Sequence, residues 1–393
     1  MNTISPAHDK VKSLLVLASI AGLTFSATTA NADSVYTTLT DAITNATTPS
    51  VTFDMESTDE AVSTNLGTLS TTIQNFTLKG NNLSVTVNSG ALLTINSNQT
   101  VNINNAGSAT TTVSDGHITG VTATKSFTGG ATTALKAANG ATLNITGSTF
   151  SANTSNIVNY DSGSNGKIEN SYFVSNTANN SLVKNEGNLS TVSGAFINNT
   201  VDGNTTGALD NSGNITNLSA DFVGNKTQYN SGSANFIEGG AVTNSGTIDR
   251  ISGNYTSNEV KSTTSDMPLG GAIYNSNLIK KIENSEFKSN KVTSSNNALG
   301  GAIYNSGTIN IYNSEFDSNK VVNATTGQGG AIYNNSSGTI KIVDTSFKNN
   351  ETTSNGGAIY NDAGGTIYLV ADEDDVEYDE YDVSDEDEYA NAA

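Results

Sequence analysis

The hexapeptide Gly-Gly-Ala-Ile-Tyr-Asn occurs four times in the C-terminal half of the chain. The copies begin at Gly270, Gly300, Gly329 and Gly356, and a degenerate copy, Gly-Gly-Ala-Val, begins at Gly239. A near-constant period of about 30 residues that tolerates small insertions is the signature of a repeat array, which grows along one dimension instead of enclosing one thick core. The alanines that mark this period are Ala241, Ala272, Ala302, Ala331 and Ala358.

A second marker is an aromatic residue followed three positions later by Asn. Successive copies lie closer together in the sequence before Phe222 than after it. At least eight copies of one unit therefore follow one another. The marker pairs are Phe150/Asn153, Phe173/Asn176, Phe196/Asn199, Phe222/Asn225, Tyr255/Asn258, Phe287/Asn290, Phe316/Asn319 and Phe347/Asn350.

Apolar residues alternate with Thr, Ser and Asn through each unit, as in Leu93-x-Ile95. This period of two predicts strands with one buried face, and frequent β-branched, Gly and Asn residues disfavour helix. In Ile309-x-Ile311-x4-Phe316 the aromatic would reach the opposite face of a continuous strand, so a turn must intervene. Each unit is then three short strands and three turns, which is one coil of a parallel β-solenoid.

Coils stacked in register at about 4.8 Å would place Phe over Phe and Ile over Ile. We predict an all-β solenoid of about eleven to twelve coils. The Asn after each aromatic can stack at a turn, where it tolerates left-handed backbone and can bond its neighbours' side chains or backbone. The Gly pair is expected to allow a sharp approach into the next strand. The repeat residues predicted on this basis are Gly270, Gly271, Gly300, Gly301, Gly329, Gly330, Gly356, Gly357, Phe287, Asn290, Phe316, Asn319, Phe347 and Asn350.

The four hexapeptide tyrosines, Tyr274, Tyr304, Tyr333 and Tyr360, form a possible binding strip. If Ile faces the core, the alternating Tyr faces outward and can stack on sugars or serve as an adhesive strip. If Tyr instead shares the inward face with Ala, the row belongs to the core. We expect Ile to face inward and leave the reverse arrangement open.

Length variation falls at one point of the coil, between the Asn of the aromatic marker and the next hexapeptide alanine. The gap is widest from Asn225 to Ala241 and narrowest from Asn350 to Ala358. The longer loops are therefore expected along one edge of the rod, where solenoids commonly bind. The alternative is that these loops are neutral polar padding.

Composition and the two ends narrow the class. The 393 residues include no Cys, which excludes disulfides and thiolate metal sites, and 35% hydrophobic with 14% charged residues fits a thin core in a polar shell. Lys10 and Lys12 precede a short apolar run, and a small-x-small pattern predicts cleavage after Ala32. The predicted organisation is signal peptide 1–32, N-terminal cap 33–68, parallel β-helix repeats 69–370 and an acidic, disordered tail 371–393.

The formal charge of −20 is concentrated in the tail, where twelve of the 37 acidic residues lie between Asp372 and Glu388. Nucleic acid and anionic membrane surfaces are poor partners, because each requires basic patches. A capping or interaction role is the alternative to a merely solubilising tail. No loop with calcium-ligand spacing is visible in it, and we expect no metal and no cofactor.

The joint occurrence of Gly-Gly-Ala-Ile and Phe-x-x-Asn between Phe150 and Asn361 resembles the repeats of the polymorphic outer-membrane protein family. The resemblance implies a right-handed, single-stranded, pectin-lyase-like parallel β-helix that is exported as an autotransporter passenger, exposed at a Gram-negative cell surface or outer membrane, and active in adhesion. Such proteins end in a membrane β-barrel, whereas only a short acidic segment follows the last repeat here. Membrane association would therefore need a tether outside the repeats.

Pectin-lyase-like helices also include enzymes. The resemblance implies an Arg or Lys base with acidic calcium ligands for the lyases, and clustered Asp with His and Arg for the hydrolases. Outside the predicted signal the chain has one Arg, Arg250, and one His, His117, which we expect to be an exposed turn residue. We therefore expect a non-enzymatic surface or secreted protein that binds a host or neighbouring-cell protein or glycan, with no catalytic residues; the alternative is a polysaccharide lyase or hydrolase on the same fold.

Overall fold

The computed structural model describes residues 135–370, apart from 152, 155, 204, 230–235 and 264–265, and the backbone of the strands that lie between residues 50 and 128. Every helix or strand in these parts is a β-strand, and no helix there could cross a membrane. The strands stack in parallel as a β-solenoid, which confirms the predicted fold class. The signal peptide with Ala32, most of the cap and the acidic tail lie outside the described residues and stay predictions.

Sheet 1 is the largest sheet, and its first ladder carries the Ile-x-Ile residues. Twelve of the described strands stack in this ladder. The solenoid has about seven turns, fewer than the eleven to twelve coils predicted. The strands are Ser50–Met55, Asn75–Gly80, Thr100–Asn105, Thr142–Thr146, Asn165–Val174, Asn188–Ile197, Asn214–Leu218, Thr247–Ile251, Leu278–Glu283, Thr308–Tyr312, Thr339–Val343 and Thr366–Val370.

The second ladder of sheet 1 carries the aromatic marker, after the turn that the spacing predicted. Two strands, Asn165–Val174 and Asn188–Ile197, run through both ladders. The other strands of this ladder are Val85–Thr86, Phe127–Thr128, Thr149–Ser151, Asp221–Val223, Tyr255–Thr256, Glu286–Lys288, Glu315–Asp317 and Ser346–Lys348.

Sheet 2 carries the hexapeptide and the equivalent segments of earlier coils. Its ladder closes the coil opposite the Ile and aromatic ladders. Its strands are Leu93–Ile95, Leu135–Ala137, Val158–Tyr160, Val183–Asn185, Leu209–Asn211, Val242–Asn244, Ile273–Asn275, Ile303–Asn305, Ile332–Asn334 and Ile359–Asn361.

Two further parallel sheets arise from the segments of variable length, and we call them together the flange. Sheet 3 consists of Thr177–Ala178, Thr200–Asp202, Lys226–Tyr229, Glu259–Ser262, Lys291–Thr293 and Lys320–Val322. Sheet 4 consists of Phe236–Glu238, Met267–Leu269, Asn297–Leu299 and Thr326–Gln328. Val292, Ala298, Val321 and Ala324 form a small core of their own in the flange. An antiparallel hairpin, Ala109–Ser114 with His117–Ala123, stands apart from this pattern.

The main core is a set of apolar ladders enclosed by sheets 1 and 2. Aromatic rings of successive coils stack with centroids 4.4 to 5.2 Å apart, and their planes are within 13° of parallel. Burial of each such side chain stabilises the fold by about 1.5–3 kcal/mol. The stacked rings are those of Phe150, Phe173, Phe196, Phe222, Tyr255, Phe287, Phe316 and Phe347.

The Asn of the aromatic marker is buried, and the turn residue is the one before it. Ser289 takes the left-handed conformation at φ 54°, whereas Asn290 is fully buried with ordinary backbone. Asn290 Nδ2 donates to Asn319 Oδ1 at 3.0 Å and to the carbonyl of Tyr255 at 2.8 Å. The Asn therefore bonds side chains and backbone of neighbouring coils, as expected. The left-handed residue of the turn is the one before it, because the Asn side chain lies inside and satisfies the backbone at the bend.

A second Asn ladder runs along the hexapeptide position. Each Nδ2 donates to the Oδ1 of the next coil at 2.7 to 2.8 Å. From Asn185 to Asn361, two polar ladders therefore run beside the apolar ones. Its members are Asn185, Asn211, Asn244, Asn275, Asn305, Asn334 and Asn361.

The two glycines of the hexapeptide have different tasks. The first glycine has φ between 65° and 70° in the four full copies, a region that L side chains rarely adopt. The second glycine packs closely. A Cβ at Gly301 would overlap the carbonyl oxygen of Gly330 and the backbone of Lys320, the first residue of a sheet 3 strand. At Gly357, in the last coil, the same Cβ would meet only Asn350 O, at 3.8 Å.

Candidate functional site

The outer face of sheet 2 carries one continuous row of side chains, which we call the outer row. Each member is the middle residue of a three-residue strand and pairs in register with the member above it. The chemistry of the row changes from charged to aromatic along the rod. Its members are Lys136, Asn159, Lys184, Asp210, Thr243, Tyr274, Tyr304, Tyr333 and Tyr360.

The four tyrosines lie on the face opposite the isoleucines, as expected. Ile273 is fully buried in the main core, and Tyr274 packs in a separate cluster with sheet 4. Ala272 is also in the main core, so Ala and Tyr do not share a face as strict alternation required. The reason is that the strand begins at Ile273, after the chain has turned through the glycine pair.

The tyrosine rings stack on one another with centroids 5.2, 5.4 and 5.3 Å apart. Leu269 and Leu299 of sheet 4 pack against them, and Tyr304 and Tyr333 are only 7% and 6% exposed. The ring faces are covered by the neighbouring tyrosines, and sheet 4 covers most of the remaining ring surface. A sugar could therefore reach ring faces only at the ends of the row, so the row attaches the flange to the rod more than it offers an open strip.

The tyrosine hydroxyls are held by neighbouring polar groups. Tyr333 Oη donates to Asp362 Oδ2 at 3.2 Å, and Asn335 Nδ2 donates to Tyr304 Oη. Burial raises the pKa of Tyr274 to about 12, with Glu238 adding to the rise. The pKa values of Tyr304 and Tyr333 are also raised, chiefly by burial, so these three phenols stay neutral at physiological pH.

Two carboxylates interact electrostatically near the first strand of sheet 4. Asp210 belongs to the outer row, and Glu238 ends the first strand of sheet 4 in the next coil. Burial raises the pKa of Asp210 to about 6, against a smaller lowering by Lys184. Burial, followed by the charge of Asp210, raises the pKa of Glu238 to about 7, while a hydrogen bond from Tyr274 lowers it. The pair thus titrates close to neutrality, which is a feature of functional sites.

Sequence reasoning missed this pair, although a signal was present. Asp210 occupies the Tyr position of the segment Ala208-Leu209-Asp210-Asn211, which aligns with Ala-Ile-Tyr-Asn. Glu238 directly precedes the degenerate glycine pair. Aligning the early coils with the later ones would have shown a carboxylate where the later coils have an aromatic ring.

An exposed apolar group also lies on this edge. Phe236 begins sheet 4 and is 46% exposed, and Met267, its in-register neighbour, is partly buried against the tyrosine cluster. One edge, at the first coils of sheet 4, therefore carries Phe236, Met267, Tyr274 and the carboxylate of Glu238. This edge is the candidate site.

The residues singled out for catalysis lie elsewhere. Arg250 is on the outer face of sheet 1, paired with Glu283, whose pKa is held down by hydrogen bonds from Lys281 and Arg250. His117 begins the strand His117–Ala123 of the hairpin, and its side chain lies outside the described residues. In the part of the chain with described side chains, no three His, Cys, Asp or Glu residues are placed to hold a metal ion.

Searches of protein-family models, curated proteins and solved structures find no match to this chain.

Proposed function

We propose that this chain is an exported surface or secreted β-solenoid that binds a protein or glycan of a host or neighbouring cell without catalysing a reaction. The signal-like N-terminus and the resemblance of the repeats to those of polymorphic outer-membrane proteins support export and adhesion. The flange edge at Phe236, Met267, Tyr274 and Glu238 is the proposed binding surface.

The observation that carries this proposal is the ordered stacking of the variable segments. They differ in length and sequence from coil to coil, yet they form sheets 3 and 4 along one edge. A constant core that presents a variable but ordered edge is the arrangement of solenoids that recognise ligands. Phe236 at 46% exposure offers an apolar anchor at the start of that edge.

The test is binding of the purified full chain to glycan arrays, matrix proteins and intact cells. Phe236→Ser should weaken binding, because it removes the exposed ring without entering the main core. Tyr368→Ser is the matched control, since Tyr368 is 44% exposed on sheet 1, away from the flange. Absence of any ligand, or equal loss of binding in both variants, would overturn the proposal.

A second candidate is a carbohydrate-active enzyme, and the pair Asp210 and Glu238 is the observation that favours it. Two carboxylates with raised pKa beside an aromatic group match the acid and base roles of glycoside hydrolysis. Release of reducing or unsaturated ends from polysaccharides, lost in Asp210→Asn and Glu238→Gln, would favour this candidate. Loss in Arg250→Ala or His117→Ala instead would point to the lyase-like chemistry expected from the fold.

A further inference from the structure

The four stacked tyrosines of sheet 2, which we call the tyrosine ladder, hold their phenol rings next to one another. Four phenol rings, those of Tyr274, Tyr304, Tyr333 and Tyr360, stand nearly parallel, with planes 5° to 13° apart and centroids 5.2 to 5.4 Å apart. No ring of another type interrupts them. Each phenol therefore has another phenol as its nearest aromatic neighbour, held there by the register of sheet 2.

Two other buried tyrosines have different neighbours. Tyr255 stacks between Phe222 and Phe287, and Tyr160 pairs in register with Ala137 and Asn185. The four hexapeptide tyrosines differ from these two in stacking on one another.

We propose that this ladder is a site of oxidative cross-linking, at which a one-electron oxidant joins neighbouring tyrosines as dityrosine. In this step two phenols each give one electron to the oxidant and the hydroxyl proton to a base. The two phenoxyl radicals form one carbon–carbon bond between their ortho carbons, and the hydrogens on those carbons move to the oxygens. With peroxide as the terminal oxidant, two tyrosines and one hydrogen peroxide give one dityrosine and two waters.

The surroundings supply the proton acceptors. Tyr333 already donates to the carboxylate of Asp362 at 3.2 Å, and the negative charge of Glu238 acts on Tyr274 strongly enough to raise its pKa further. When the phenol passes its proton to a hydrogen-bonded carboxylate as it loses the electron, the high-energy phenol radical cation is avoided. Sheet 4 holds the radicals away from solvent, because Tyr304 and Tyr333 are 7% and 6% exposed. Combination with the adjacent ring is then favoured over reaction with other molecules.

The consequence is a covalent staple between coils. A bond between Tyr304 and Tyr333 would join two successive coils and close a loop of one full repeat in the unfolded chain. A cross-link of this kind stabilises mainly by restricting the unfolded state.

The experiment treats the purified full chain with a photogenerated ruthenium(III) complex, a small one-electron oxidant. Dityrosine fluorescence measures yield, denaturing gels separate monomer from dimer, and mass spectrometry of peptides locates the bond. We expect monomeric protein with bonds between adjacent ladder tyrosines, and a slower reaction in Asp362→Asn.

The decisive variant is Tyr304→Phe/Tyr360→Phe, which keeps four stacked rings but leaves no two tyrosines adjacent. Loss of the intramolecular product in this variant, with full yield in Tyr255→Phe, supports the proposal. Undiminished yield in the double variant, or bonds formed mainly between molecules or at other tyrosines, overturns it. Circular dichroism of both variants shows whether the solenoid is intact.

Discussion

The coils of residues 142–229, which we call the narrow region, are shorter in sequence than the coils of residues 236–370, the wide region. Asparagines that pair across a coil boundary in the aromatic-marker ladder are 23 or 26 positions apart in the narrow region. They are 29 to 32 positions apart in the wide region. The core ladders pass from one region to the other without a break, since Phe222, Tyr255 and Phe287 stack in sequence. The added residues appear outside the core, largely as sheet 4, so a solenoid can change its surface while its core stays constant.

The outer row changes where sheet 4 begins. In the narrow region it has Asn159, Lys184 and Asp210, and in the wide region it has tyrosines, which sheet 4 covers. The second glycine lies where the returning chain touches the first residue of a sheet 3 strand, Lys291 at Gly271 and Lys320 at Gly301. The chemistry of the outer row thus follows sheet 4, whereas the Ile and Phe ladders are common to both regions.

The largest effect is expected from truncation of the shared core. Phe173→Ala in the narrow region and Phe287→Ala in the wide region should each lower the free energy of unfolding by about 3–5 kcal/mol, because both rings are fully buried between two neighbours. Phe347→Ala, at the end of the ladder, should cost clearly less. Denaturant unfolding measures all three, and a much smaller loss at Phe173 would show that the regions do not share one core.

Substitutions in the outer row should have different effects in the two regions. Tyr304→Ala should cost about 2–4 kcal/mol and should loosen sheet 4, because the ring packs with Leu299 and with its two stacked neighbours. Lys184→Ala, on the same row in the narrow region, should change stability by less than about 0.5 kcal/mol. Hydrogen exchange at residues 297–299 is the measurement, and unchanged protection there in Tyr304→Ala would contradict the attachment role.

The second glycine gives a matched pair within the wide region. Gly330→Ala should cost about 1–3 kcal/mol, because its Cβ would overlap the carbonyl of Gly357 in the next coil. Gly357→Ala should be nearly neutral, since only Asn350 O lies within reach, at 3.8 Å. Equal losses in thermal unfolding would mean that conformation, rather than coil contact, requires the glycine.

One substitution at the join of the regions should stabilise the protein. Tyr255 is fully buried in the aromatic ladder, and its hydroxyl has no hydrogen-bond partner among the residues that the structure describes. Tyr255→Phe should therefore raise the free energy of unfolding by about 1 kcal/mol. Tyr160 is the control, because its hydroxyl donates to the carbonyl of Leu143 at 3.0 Å, and Tyr160→Phe should destabilise. A loss of stability in Tyr255→Phe would reveal a partner such as a buried water.

The smallest effect is a pH dependence at the same join. The pKa of Glu238 rises from its ordinary 4.5 to about 7 in the fold, so the folded state holds this proton more tightly than the unfolded chain. Its stabilising contribution is full below pH 4.5 and is lost as the pH rises to about 7. Glu238→Gln should flatten the fall in melting temperature over this window. Glu283→Gln should act in the opposite direction, flattening the loss of stability in acid, because the pKa of Glu283 is lowered.

The repeated residues predicted the fold, since Ile-x-Ile and the aromatic marker recur at positions that only stacked coils bring together. The position of Asn290 was harder to predict, because its burial depends on hydrogen bonds to neighbouring coils that are distant in the sequence. The burial of the tyrosines by sheet 4 could not be predicted from the sequence for another reason. Met267–Leu269, Asn297–Leu299 and Thr326–Gln328 pair in register but share no sequence pattern, so periodicity could not reveal sheet 4.

The two asparagine ladders have a mechanical consequence. Each coil is joined to the next by its own set of hydrogen bonds, so a force that pulls the two ends apart along the axis acts on boundaries in series, and each can break independently of the others. The coils should then peel off singly instead of rupturing together. Each event would release about 80 Å of chain in the narrow region and about 110 Å in the wide region, at roughly 3.5 Å per residue. A rod built in this way dissipates tension in many small steps and lengthens greatly before it fails.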